Sequence, residues 1–301
     1  MGWFGLGKRK RNVASTARQR RGFFFTGGRR YLTEAPYFLP KDDTEVNRLD
    51  FQHYMMRYAM QGNYAAPIGS PTSILDVATG TGRWAMEMAA EFPLANTVGV
   101  DIVTPPVDEA AVLGHGLDRR PDNYTFIQHN LLHGLPFADK SFQFVHQRLV
   151  VAAIPAARWQ SVVNELYRVT APGGWIELVE AIPATGGPAM NQLREWLIAV
   201  SSRRGVDTTI TPHIGDFLRQ AGAQNVTTRD LPLPLGRLGG HLGLMVETDY
   251  YSLHRGIRGI IIAQGIATEE AYDGAMNAAR LEIARNRYIW PYFLAYGQRL
   301  F

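Results

Sequence analysis

Two acids and two glycines stand where they could grip a nucleoside. The stretch Asp76-Val77-Ala78-Thr79-Gly80-Thr81-Gly82 lies between an apolar run and a helical pattern. Glycine lets a backbone turn sharply and lets a ligand approach the amides. A helix start just beyond it presents unpaired N–H groups. Asp101 follows Gly82 by 19 residues, at the end of the next apolar run. A carboxylate there can accept both hydroxyls of a ribose. The layout reads as a nucleoside site, with a purely structural turn as the bland alternative. The loop alone leaves a nicotinamide dinucleotide open, because Ala85 falls three positions after Gly82. Asp76 argues against one. A carboxylate is repelled by a pyrophosphate and attracted by an amino-acid ammonium. No Gly-Lys-Ser/Thr closes the turn, so a P-loop is not expected.

Proton-transfer groups follow further on. His146 and Arg148 come at the end of a later apolar run and are the first candidates for catalysis, with His129 third. His146 alternates with Phe144, so the packing alternative is that it faces the core. His133, His213, His241, Tyr250, Tyr251 and His254 are weaker candidates, each equally readable as packing. There is no cysteine, hence no disulfide, thiolate metal site or cysteine nucleophile. Gln147-Arg148-Leu149 brings no acid after the fourth strand, and Glu177 with Glu180 makes a poor cage for a hard cation, so no metal is expected.

These groups need elements to position them. Apolar runs at Ser73–Ala78, Thr97–Val100, Tyr124–Gln128, Phe142–His146 and Trp175–Val179 alternate with helical patterns at Arg83–Glu91 and Arg158–Val169. Strands joined by helical crossovers predict an α/β fold, a doubly wound, mostly parallel sheet whose ligands lie beyond the carboxyl ends of the strands. Before it, Val46, Leu49, His53, Met56 and Met60 predict a helix over 45–60, capped by Asp43 or Thr44. After it, Ala189–Ser202, Ile214–Ala221, Leu242–Ile262 and Glu269–Arg287 read as helices. Val226–Leu235 and Ile289–Tyr296 read as strands, and Pro232, Pro234 and Pro291 ask for edge or initial positions.

Charge is local. Residues 1–30 hold nine of the 31 Lys and Arg and no acid, which leaves 22 bases against 27 acids in the rest of the chain. The basic balance therefore belongs to a tail. That tail could be a loose solubilising segment, touch nucleic acid or lipid, or dock on a neighbouring subunit, with Trp3, Phe4 and Phe23–Phe25 as apolar anchors. The expected organisation is a basic tail or oligomerisation arm at 1–30, a helical preface at 31–71, the core at 72–235, a helical cap at 236–288 and a last strand at 289–301. No apolar run spans a bilayer and no secretory signal is legible, so a cytoplasmic protein without membrane partners is expected.

From Ile74 to Glu180 the chain resembles the class I S-adenosylmethionine-dependent methyltransferases. The matching pieces are Ile74–Gly82, Val98-Gly99-Val100-Asp101, Asn130-Leu131, Leu135-Pro136-Phe137, Phe142–Val145 and Leu166–Gly174. Tyr37-Phe38-Leu39-Pro40, Glu45, Arg48, Leu49, His53 and Gly82-Arg83-Trp84-Ala85 narrow the resemblance to the LaeA/UMTA-like secondary-metabolism group, including bacterial indole-alkaloid and terpenoid C-methyltransferases. The resemblance implies a seven-stranded sheet ending in an antiparallel hairpin, with a helical insertion before the last strand. It implies S-adenosylmethionine (SAM) as cofactor. Asp76 would lie near its ammonium, Ala78 (commonly Gly), Gly80 and Gly82 against it, and Asp101 on the ribose. Ile102, Asn130 and Leu131 would flank the adenine, Gln147 the methionyl part and Arg48 the carboxylate. The acceptor would be an apolar or aromatic small molecule attacked through O, N or C, including a prenyl chain whose methylation is coupled to cyclisation. A nucleic-acid methyltransferase guided by the tail and a non-catalytic cofactor-binding regulator are the alternatives. A homo-oligomer joined through the N-terminal region is expected.

Overall fold

The computed structural model describes residues 22–33, 35–104 and 120–301. Most of the basic tail, with Trp3 and Phe4, lies outside them. Its last residues do not form a tail: Phe23–Thr26 (β1) and Arg29–Leu32 (β2) pair as an antiparallel hairpin. Gly27 and Gly28, at φ of 54° and 74°, supply the two left-handed residues that a two-residue hairpin turn requires. Arg29 clamps Asp42 through two hydrogen bonds of 2.6 and 2.8 Å. Sequence composition could not disclose this hairpin, because its strands are four residues each and six of their eight side chains are basic or aromatic.

Helix α1 (Asp43–Met60) is capped by Asp42, whose side chain accepts from Glu45 N at 3.1 Å, one residue before the expected cap. Its buried face carries Glu45, Arg48, Asp50 and His53 beside Met55 and Met56. The expected apolar stripe is thus replaced along half the helix by a polar one, because that half covers a cavity rather than a core.

The main sheet comprises β3 (Ser73–Val77), β4 (Asn96–Asp101), β5 (Tyr124–Gln128), β6 (Phe142–Arg148), β7 (Thr170–Ala181), β8 (Gln224–Leu235) and β9 (Tyr288–Gln298). Its order is β5-β4-β3-β6-β7-β9-β8, parallel from β5 to β7, with β9 antiparallel to both neighbours. Helices α2 (Arg83–Glu91) and α3 (Trp159–Val169) are crossovers. Further helices are α4 (Pro188–Ser202), α5 (Ile214–Gln220), α6 (Gly240–Ala263) and α7 (Glu269–Arg285), the last two inserted between β8 and β9. This is the doubly wound architecture expected, with preface and insertion in place. Pro232 and Pro234 lie on the edge strand β8, but Pro291 sits in β9, between β7 and β8. It is tolerated there because β9 outruns the ladder with β7, which ends at Ala181↔Tyr292, and because it faces Pro232 across β8. None of the helices among the described residues is long and apolar enough to cross a membrane.

The direction of chain growth reverses between β3 and β6, and there a crevice opens above the sheet. Asp76 is in register with His146 across that gap.

Candidate active site

The cavity at this switch point is bordered by the ends of β3, β4 and β6, by α1, and by Trp290 and Tyr292 of β9. Strand alternation decides which side chains reach it. On β6, His146 and Arg148 share a face and line the cavity, while Val145 belongs to the core on the opposite face. Gln147 falls on that opposite face, fully buried, with both amide atoms unpartnered, and does not line the cavity. The expected methionyl contact is therefore corrected by strand parity.

The register makes a dyad. His146 Nδ1 lies 2.8 Å from Asp76 Oδ1, and Thr79 Oγ1 donates to Asp76 Oδ2 at 2.5 Å. A carboxylate only accepts, so Nδ1 carries the proton and Nε2 keeps a bare lone pair. Nε2 is buried without a partner. The ring stacks on Trp84 at 3.7 Å between centroids, inclined 7°. Burial pulls the imidazole below its ordinary value of 6.5, opposed by Asp76, so the neutral ring prevails near pH 7. Asp76 thus serves His146 first, and its carboxylate is already engaged at both oxygens.

Asp101 ends β4, 7% exposed, and accepts from Gly80 N at 2.9 Å and Val103 N at 3.1 Å. Lys41 Nζ stands 3.9 Å away. Gly80 has φ of 60°, and a Cβ there would meet only a Leu49 methyl at 3.8 Å. Gly82 has φ of 77° and starts α2. Its place is set by Tyr124, whose hydroxyl would lie 2.6 Å from an added Cβ. Gly80 lines the cavity; Gly82 does not. Ile102, Asn130 and Leu131 line the same end. Asn130 Oδ1 accepts from Leu132 N at 3.0 Å, which orients its amide.

Ala78 holds φ of 58°, a left-handed conformation that costs a residue with a Cβ about 1–2 kcal/mol. Ala78→Gly should therefore stabilise the protein by about 0.5–1 kcal/mol despite the added freedom of the unfolded chain. Thermal melting should show the midpoint rise by a degree or more; a fall would refute the strain.

Arg48 is spent. Its Nε and Nη2 bind Glu45 at 2.9 and 2.6 Å, and Nη1 binds Asp249 of α6 at 2.9 Å. Gln52 adds a bond of 2.7 Å to Asp249. This buried network ties preface to cap at the cavity wall, and a guanidinium matched by two carboxylates is a clamp rather than a waiting receptor. His129 lines the cavity at the β5 end, away from His146. Its Nε2 bonds Gly134 O at 2.9 Å, and it follows β5, three strand positions from β6, about 14 Å away. None of His133, His213, His241, Tyr250, Tyr251 and His254 lines the cavity.

Arg148 reaches the cavity and donates from Nη2 to His53 Nδ1 at 3.0 Å. A guanidinium only donates, so His53 accepts there, and its Nε2 stands 3.1 Å from Glu87. Beyond Arg148, Leu149 to Ala153 form an apolar wall with Trp290 and Ile182. Trp290, Tyr292, Gln52 and Lys41 were not legible as site residues, since nothing in their local spacing differs from packing.

That wall is anchored by Glu180, which is fully buried and accepts from Val150 N and Val151 N at 2.9 and 3.0 Å. Glu177 accepts from Ala65 N and Ala66 N at 2.8 and 2.7 Å. Burial pushes Glu180 up to about 8 and Glu177 to about 7, against an ordinary 4.5. Between the unfolded and folded values the native state holds more protons than the unfolded state. The stability these groups contribute is therefore complete below 4.5 and lost as pH rises through about 8. Glu180→Gln should flatten the fall of the melting temperature over this window; an unchanged slope would refute the assignment. Among the described residues, no group of three or more His, Asp or Glu could hold a metal ion.

Comparison with known proteins meets this geometry. Residues 74–174 match the family model described as a methyltransferase domain. The N-methyltransferase tcpN of Claviceps purpurea is 28% identical over 283 residues, covering 86% of this chain and 95% of its own. The methyltransferase str3 of Strobilurus tenacellus is 33% identical over 144 residues, 48% of each chain. The chain thus spans about half the length of the Strobilurus relatives it matches. Fold and sequence agree on the class: the core has the Rossmann-like class I methyltransferase fold, and residues 74–174 within it match a methyltransferase domain. In sequence it is related to fungal N-methyltransferases.

Proposed function

We propose that this protein methylates an apolar or aromatic small molecule at an O–H or N–H group, in the manner of secondary-metabolism enzymes. The observation that carries this reading is the Asp76–His146 pair, in register at the switch point, with His146 lining the cavity and its Nε2 buried without a partner. SAM fits the residues present: Asp101 for the ribose, the open side of Gly80 for close approach, and Ile102 with Leu131 for the adenine. When bound, it supplies a methyl group already electrophilic on a sulfonium. The remaining work belongs to the chain. The apolar wall and α1 exclude water and align the acceptor. His146 Nε2 takes the acceptor proton, and Asp76 holds the tautomer and balances the imidazolium that forms.

A base at the site favours an acceptor with a proton to lose over a prenyl double bond. The relation to the N-methyltransferases tcpN, sirN and verN supports nitrogen in particular. The resemblance to the LaeA/UMTA-like group agrees with such an acceptor. Incubating the protein with methyl-labelled SAM and a metabolite extract tests the reading. Label should enter a small molecule that keeps it through mild acid and base; label found only in nucleic acid or protein would overturn it.

A further inference from the structure

We propose that Arg148 is the receptor for a carboxylate carried by the methyl acceptor. This deepens the reading of the site as a small-molecule methyltransferase and rests on it. Among the described residues Arg148 makes one hydrogen bond, to His53, and no ion pair. The other charged side chains lining the cavity each have a close partner: Arg48 has Glu45 and Asp249, Arg83 has Asp50, Lys41 has Asp101, and Asp76 is hydrogen-bonded by the neutral His146. An arginine does not shed its proton in a protein. A guanidinium held against apolar walls without a counter-ion is costly. Among the described residues, Arg148 is thus the one charged side chain lining the cavity without an ion-pair partner within 4 Å, a place that a carboxylate arriving with a ligand can take.

The chemistry of that partner is constrained. One guanidinium balances one negative charge, which selects a carboxylate over a diphosphate. Its planar fork matches a carboxylate's two oxygens. Tyr292 offers a second donor: it is 1% exposed, lines the same cavity, and its hydroxyl has no partner. Sheet order separates this pair from the cofactor. Asp101 ends β4 and Asp76 lies on β3, whereas Arg148 ends β6 and Tyr292 lies on β9, on the far side of His146. Arg148 follows His146 by two residues on one strand face, so the two Cα atoms lie about 7 Å apart. The carboxylate is then a separate group from the atom that receives the methyl.

The test is calorimetric titration of the full chain with matched pairs: decanoate and decanamide, 1-naphthoate and 1-naphthamide, indole-3-acetate and indole-3-acetamide. S-adenosylhomocysteine is present throughout. At least one carboxylate should bind about tenfold tighter than its amide, the scale of a charge-assisted bond. Arg148→Gln should abolish that preference and Arg148→Lys should keep part of it. The affinity for S-adenosylhomocysteine should change by less than about threefold in both variants. The proposal is overturned if no pair discriminates in the wild type. It is also overturned if Arg148→Gln weakens S-adenosylhomocysteine but not 5′-methylthioadenosine, which would assign the guanidinium to the cofactor's own carboxylate. The wild-type comparison needs no variant, so a misfolded Arg148→Gln leaves the test in force. Failure of the wild type to bind S-adenosylhomocysteine at all would sink the cofactor reading instead, and the carboxylate preference, titrated without it, would still decide the role of Arg148.

Discussion

Asp101→Ala should lower the affinity for S-adenosylhomocysteine by about 10²–10⁴-fold. Two ribose hydroxyls donating to one carboxylate are charge-assisted bonds, each worth about 1.5–3 kcal/mol when a partner is removed. The side chain sits where they can be made: it ends β4, borders the cavity and is 7% exposed. Its present acceptors of Gly80 N–H and Val103 N–H hold the loop against the strand. Some loss of thermal stability will therefore accompany the variant, and calorimetry belongs well below its melting point. Asp101→Asn, with one oxygen left, should fall between. An affinity within about threefold of wild type in Asp101→Ala would remove the ribose from this strand end.

His146→Asn should reduce kcat by about 10²–10⁴-fold, the usual contribution of a positioned base. Asparagine can still donate toward Asp76, so the pair's structural bond survives while the lone pair of Nε2 is lost. Binding of S-adenosylhomocysteine should stay close to wild type, which separates proton transfer from cofactor binding. The wild-type pH profile carries a second signature. Burial lowers the imidazole from 6.5, so the acid limb of kcat should have its midpoint below that value and activity should stay level above it. In His146→Asn that limb should vanish. Unchanged turnover would mean the acceptor needs no base, which is the behaviour of an alkene carbon or of a nucleophile already ionised.

Strand periodicity and the glycine loop were enough to place β3 through β7 and the two crossovers, because the central strands β3, β4 and β6 are buried along most of their length and read as short apolar runs. That Asp76, Gly80 and Asp101 border the cavity was legible for a related reason. Their positions follow from standing at strand ends next to a turn, a property of the local chain. The surroundings of Gln147, Arg48 and His129 were not legible because they are not local. One residue of strand parity turned Gln147 away, Asp249 of a distant helix claimed Arg48, and three strand positions separated His129 from the reacting end.

By itself the sequence determined the parallel α/β core, its class, and the strand ends where a nucleoside would lie, since all three rest on periodicity and spacing within about thirty residues. Only tertiary structure decided which polar groups are spent and which are left with a vacancy to fill. Pairing of buried charges joins residues such as Arg48 and Asp249, and one cavity gathers Arg148 with Tyr292, solely because β6, α1, α6 and β9 converge there. Desolvation, which makes an unmatched guanidinium or a bare imidazole nitrogen meaningful, exists only once that cavity has closed around them.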